Sequence, residues 1–225
     1  MISAPLQRAA SFAVRSLRLA ACGGCAAIIA TSSAPAGAFD APGPLIGFAQ
    51  AWAGLGAYST TVNAFERKGP EEVDVKMDYA FHKPSNVKIH LITGPNAGAN
   101  LAWDGGDTVT GWRGGLLSFF KKTFSLHDSY VSTTRGASID QLSFGAILDH
   151  AQHEPGKLAT APPEQIDGVT VDVVTLTPAD PAHDGGLTRE VVELSPSTHL
   201  PVRVLGYEGS TLVRKVDFSK LTLTN

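Results

Sequence analysis

Cysteine is almost missing from this 225-residue chain: it has two, Cys22 and Cys25. Two thiols close together near one end cannot build a disulfide framework or a four-ligand structural zinc site. No uninterrupted apolar run of about 20 residues is present, which excludes a multi-pass helical membrane protein. Charge is also scarce. Only 17% of residues are charged, the net charge is −3, and the basic residues form no dense stripe. A nucleic-acid partner is therefore not expected, because phosphates must be neutralised by clustered cations. The G-x-S-x-G elbow, the Walker loop and the dinucleotide glycine fingerprint are all missing, and serine, histidine and aspartate are too scattered to nominate a triad. The chain reads as a protein that is not an enzyme and needs no cofactor.

What is present begins with an export pattern. Arg8, Arg15 and Arg18 precede the mostly apolar stretch 19–30, and small residues end at Ala36-Gly37-Ala38. That is the order of a secretory signal peptide, with cleavage expected after Ala38 and a periplasmic destination. Residues 1–38 take three of the 18 basic residues and none of the 21 acids, so the remainder, starting at Phe39, carries a charge of −6. Both cysteines leave with the signal. The alternative is a lipoprotein acylated at Cys22, read from Leu19-Ala20-Ala21-Cys22; against it, the apolar stretch should precede that cysteine, yet Arg15 and Arg18 stand immediately upstream.

Beyond Phe39 the hydrophobic period names the elements. Leu45, Phe48, Trp52 and Leu55 recur at helical spacing behind Pro42-Gly43-Pro44. The period then falls to two: Val73, Val75, Met77, Tyr79 and Phe81 alternate with Glu72, Asp74, Lys76, Asp78 and Ala80, as in a half-buried strand. Further strands are expected at about 57–66, 86–94, 99–104, 107–113, 168–177, 187–194, 200–208 and 211–219. Short glycine and proline turns between them predict hairpins and a meander. Ser138 to His150 suits a second helix, and 153–163 reads as a linker-like stretch too short to separate domains. These are nine strands and two helices in one domain, 39–225. So few helical residues must cover one apolar face that the sheet is expected to curl strongly around them, as an unclosed, mainly β half-barrel.

Several of these signatures stand in one order: helix, meander, Phe81-His82-Lys83-Pro84 leading into a strand, Trp103-Asp104-Gly105-Gly106 at a turn, and the closing Leu200-Pro201-Val202-Arg203-Val204. The set resembles the LolA-like periplasmic lipoprotein-carrier superfamily over nearly the whole exported chain. Gly114 to Asp128, and the approach to the second helix at Arg135-Gly136, follow a less characterised branch of it. The resemblance implies an unclosed antiparallel barrel capped by helices, with an apolar cavity that holds acyl chains in transit to the outer membrane. It also implies a latch. Where the superfamily commonly has Arg-Pro, with the arginine bonded to lid carbonyls, this chain has Lys83-Pro84.

The candidate site follows from both readings. Val75, Met77, Tyr79, Phe81 and Trp103 would line the inward face. Trp112, Leu116, Leu117, Phe119, Phe120 and Phe124, with the glycine pair Gly114-Gly115, would form a mobile lid. Lys83 would gate, and Arg113, Lys121 and Lys122 would meet a lipid headgroup or an anionic membrane surface. Acyl chains gain roughly 0.8 kcal/mol per buried CH₂ and ask for no directional partner, so mobile apolar side chains with a polar rim suffice. The same aromatics are equally the composition of an ordinary core.

His150 and His153, with Glu154, match neither the H-E-x-x-H nor the H-x-x-E-H order, and a third ligand would have to come from His127, Asp128 or His183; a solvated helix end is the reading preferred to a metal. Asp180 to Gly186 lacks calcium-loop spacing and reads as a turn. The expected function is a monomeric carrier for a lipid or lipidated protein, with inner- or outer-membrane transport partners. The alternatives are an envelope sensor or adaptor on the same fold and, third, a metal-dependent hydrolase.

Overall fold

A computed structural model describes residues 42–115 and 119–224. The expected export segment, Cys22 within it, and Leu116 and Leu117 lie outside the described residues. Helix α1 (Gly43–Gly54) is followed by six strands: β1 (Ala57–Lys68), β2 (Glu71–His82), β3 (Asn86–Thr93), β4 (Ala99–Trp103), β5 (Thr108–Arg113) and β6 (Lys121–Ser125). A 3-10 turn (Ile139–Leu142) and helix α2 (Phe144–His153) lead into β7 (Gly156–Ile166), β8 (Val169–Pro178), β9 (Arg189–Leu194), β10 (Pro201–Glu208) and β11 (Thr211–Thr224). All strands join one antiparallel sheet in the order β6-β5-β4-β3-β2-β1-β11-β10-β9-β8-β7.

Two meanders therefore meet where β1 pairs with β11, and the sheet ends at β6 and β7 without closing. The turns explain the meander. Lys68 pairs with Glu71 around Gly69 at φ 60°, Glu208 with Thr211 around Gly209 at φ 60°, and Ile166 with Val169 around Asp167 and Gly168, both at positive φ. These are two-residue hairpins of the kind whose twist matches that of the strands.

The inner face carries the main core. Val62 on β1, Met77, Tyr79 and Phe81 on β2, Val87 and Ile89 on β3, Val174 on β8, Val192 on β9, Val204 on β10, and Val216 and Phe218 on β11 are buried beneath Leu45 and Phe48 of α1 and Phe144, Ile147, Leu148 and Ala151 of α2. Burial of this kind is worth about 1.5–3 kcal/mol per large side chain. A smaller cluster, Val171, Val173 and Val191 with Ile166, Leu205 and Tyr207, packs separately from this core.

Among the described residues eleven strands stand where nine were expected, and the two additions are the sheet's edges. Strand β6 lies in the segment read as a lid. Its five residues are exposed or half-exposed throughout, so no alternation marks it. Strand β7 occupies the linker-like stretch and contains Pro162 and Pro163, which lie where its pairing with β8 shifts register between Ala161 and Glu164. Proline cannot donate to a ladder, and an edge or bulge is where a sheet tolerates it. The expected second helix also starts later: Ser143 is extended at φ −70°, ψ 150° and caps α2 by accepting a hydrogen bond from the Ala146 amide at 3.1 Å.

Candidate functional site: the inner face and the end of the first helix

Alternation along β2 turns Val75, Met77, Tyr79 and Phe81 to the inner face, where Met77 lies opposite Leu91, Tyr79 opposite Ile89 and Phe81 opposite Val87. Trp103 joins them across β3, opposite Val87, and its indole Nε1 donates to the Gly106 carbonyl at 2.6 Å. Sequence and structure agree that these residues share a surface. Sequence reasoning missed the aromatic cover that sits on them.

Tyr58 of β1 is the centre of that cover. Its ring lies parallel to Phe144 at 4.2 Å between centroids, 5.5 Å from Phe81 and 5.8 Å from Tyr79. Phe144 meets Phe218 edge-on at 5.1 Å, and Trp52 of α1 lies 5.4 Å from Phe81. The Tyr58 hydroxyl accepts the Phe144 amide at 3.0 Å, so one side chain both stacks on the first residue of α2 and satisfies one of its free donors. Burial pushes the Tyr58 and Tyr79 phenols well above their ordinary range. The Tyr79 hydroxyl is buried and has no hydrogen-bond partner among the described residues. Helix α1 reaches this cover closely because Gly145 leaves room for Trp52: a Cβ there would lie 2.5 Å from the indole.

Lys83 holds the end of α1. Its ammonium donates to the Trp52 carbonyl at 2.5 Å and the Ala53 carbonyl at 3.4 Å, and sits 4.4 Å from the Trp52 ring centroid. The last carbonyls of a helix lack intrahelical partners and carry its negative end, so a cation there satisfies both needs. The lysine thus reaches two carbonyls at the end of a helix that covers the inner face, not carbonyls of the segment read as a lid.

The remaining candidates lie elsewhere, on the β5–β6 edge hairpin. Trp112 and Arg113 are in β5, Lys121, Lys122 and Phe124 in β6, and Phe119 and Phe120 between them; β3 and β4 separate this hairpin from β2. Phe124 packs over Gly111, where a Cβ would lie 3.0 Å from its ring. The segment read as a lid is therefore framed by two paired strands, with Trp112 opposite Lys121.

The histidine pair divides. His150 turns to the sheet, its Nε2 3.4 Å from Asp184 and 3.8 Å from Glu190, whereas His153 turns back to Asp149 at 2.9 Å. Among the described residues no group of three potential metal ligands forms. Asp180 to Gly186 is a turn in which Asp180 accepts from the Ala182 amide at 2.9 Å, and Asp184 belongs to an ionic row that sequence reasoning did not find.

No family model matches the chain, and no curated protein matches it in sequence. Solved structures do. A Vibrio parahaemolyticus domain assigned to outer-membrane lipoprotein sorting is 14% identical, with a TM-score of 0.42, over 80% of this chain and 92% of that one. A LolA superfamily protein from Nitrosomonas europaea is 13% identical, TM-score 0.39, over 81% and 92%. The Mycobacterium tuberculosis lipoprotein LppX is 17% identical, TM-score 0.42, over 79% and 92%. The chain itself, among the described residues, is mainly β: eleven strands form one antiparallel sheet that does not close, with two helices over its inner face.

Proposed function

We propose that this chain is an exported binding and carrier protein for the acyl chains of a lipid or lipidated polypeptide, and that it performs no catalysis. Residues 1–38 direct export to the periplasm, and the domain from Phe39 holds the ligand against Val75, Met77, Tyr79, Phe81 and Trp103. The observation that carries this reading is the Lys83 contact, which ties the end of α1 to the turn after β2. Lifting α1 exposes Leu45 and Phe48, at a cost of about 3–6 kcal/mol for the two. An acyl chain burying about eight methylenes gains roughly 6 kcal/mol, so a long chain offsets the opening and a short one does not.

Native mass spectrometry of protein purified from its own periplasm, followed by solvent extraction, tests the reading. A single long-chain ligand per protein is expected, and acylated polypeptide rather than free lipid would select lipoprotein transport. Lys83→Met should release that ligand faster, with the melting temperature little changed. Ligand-free protein from its own cells would end the carrier reading.

A further inference from the structure

We infer that the β5–β6 edge hairpin docks the protein onto an anionic phospholipid bilayer. Between Asp107 and Asp128 the sequence holds no acid, but it does hold Arg113, Lys121, Lys122 and His127, in a chain whose net charge is −3. Among the described residues none of Arg113, Lys121 and Lys122 forms an ion pair. Their positive charge is therefore uncompensated locally and opposite in sign to the molecule as a whole.

Apolar surface is concentrated at the same place. Phe119 and Phe120 are 72% and 65% exposed, with ring centroids 4.2 Å apart, and Tyr130 beside the hairpin is 72% exposed. Lys122 lies 4.8 Å from the Phe124 ring centroid and 5.3 Å from that of Tyr130, on one face of β6. Lys121 lies 5.5 Å from the Trp112 ring centroid, on the other. Edge lysines alone would be read as protection against strand-to-strand aggregation. Two solvated phenylalanines next to them defeat that purpose, since they present an aggregation-prone surface in water.

A bilayer boundary needs this arrangement: apolar rings at the acyl level, cations among the phosphates, and tyrosine and tryptophan at headgroup depth. The charge sign selects an anionic surface. Docking uses the edge hairpin and does not depend on the acyl-binding reading of the inner face, which uses other residues.

Flotation of the full chain with phosphatidylcholine vesicles, with and without phosphatidylglycerol, tests it. Binding is expected only with phosphatidylglycerol and should weaken as salt rises. K121Q/K122Q should lower the partition coefficient about 25-fold, at about fivefold per cation, and F119S/F120S should lower it by at least about tenfold. Both pairs are exposed, so melting temperatures should not move. Equal binding to both vesicles, or variants that bind as the parent does, would overturn the proposal. So would a dimer in vesicle-free buffer that F119S/F120S dissolves, because a second copy would then cover the pair. Flotation that persists in ligand-free protein keeps docking and ends only the carrier reading, whereas ligand retained in variants that no longer float separates docking from binding.

Discussion

The two ends of the inner face are built on opposite principles. At one end Tyr58, Phe81, Phe144 and Phe218 stack within 4.2–5.5 Å of a neighbouring ring. At the other, one level across the strands reads Glu66 on β1, Arg214 on β11, Gly206 on β10 and Glu190 on β9, each directly opposite the next. Gly206 leaves the gap through which Arg214 reaches Glu190, since a Cβ there would come within 2.9 Å of Leu187 and 3.1 Å of Arg214. Arg135 closes the row from above, its amide donating to Glu66 at 3.1 Å and its guanidinium to the Arg67 and Gly185 carbonyls, both at 2.6 Å, and pairing with Glu208.

Helix α2 spans the two ends. Its first residue stacks on Tyr58 and its His150 faces Asp184 and Glu190. Helix α1 has no such second attachment among the described polar contacts; besides the packing of Trp52, its C-terminal end is held by Lys83. The comparison teaches that α2 is tied by polar contacts at both ends, whereas α1 rests on packing and on the Lys83 contact.

The largest expected effect breaks the aromatic end. Phe144 is fully buried, and Phe144→Ala removes the stack on Tyr58 and the edge contact with Phe218. A loss of about 3–5 kcal/mol is expected in urea unfolding. A loss below about 1 kcal/mol would show that this end is loosely packed, and the contrast between the ends would fail.

The next tests whether the ionic end is held by attraction or only by mutual need. Arg214 is three-quarters buried, and burial pulls its guanidinium below the usual value against the carboxylates that hold it up. Arg214→Met alone leaves Glu190 without its partner and should cost about 3 kcal/mol. Arg214→Met with Glu190→Met should fall within about 1 kcal/mol of the parent, because the desolvation of both charges goes with their attraction. Glu66 keeps the Arg135 amide in either case. A double variant as unstable as the single would mean that the row contributes net stability.

These two ends were unequally legible. Alternation exposes the aromatic end at Tyr79 and Phe81, where the Val73–Phe81 run finishes opposite Thr60 and Tyr58, because a half-buried strand writes its inner face at every second residue. The ionic end writes nothing comparable: Glu66 and Glu190 stand at inward positions, yet a charged residue in a strand is ordinarily read as outward. Only cross-strand register brings them together with Arg214, and register between β1 and β11 joins residues about 150 apart in sequence. Edge strands β6 and β7 were hidden for a related reason, since an edge buries too little to impose a period. Lys83 was found through the likeness of Lys83-Pro84 to a known pair; nothing in composition or spacing singles out a lysine at a turn. Trp52 was visible as a helix-stripe residue, but the contact of its carbonyl with Lys83 depends on where α1 ends.

The smallest effect sharpens the ionic end through pH. Burial raises the Asp184 carboxyl above its ordinary range, and the nearby His150 and Arg214 charges only partly offset this. The folded chain then holds the Asp184 proton more tightly than the unfolded chain does. In the window just above the ordinary carboxylate range, the folded state binds more protons, so this group's contribution to stability is full below that window and is lost as pH rises through it. Asp184→Asn carries no such titration. The stability of the variant relative to the parent should therefore rise as pH is raised through that window, measured as urea midpoints on either side of it. The other buried carboxylates titrate in both proteins and cancel in the difference, to the extent that they are not coupled to this one. If the difference instead falls on raising the pH, pairing with His150 and Arg214 outweighs burial, and the ionic end would be a true attraction rather than a set of charges held in place by the fold around them.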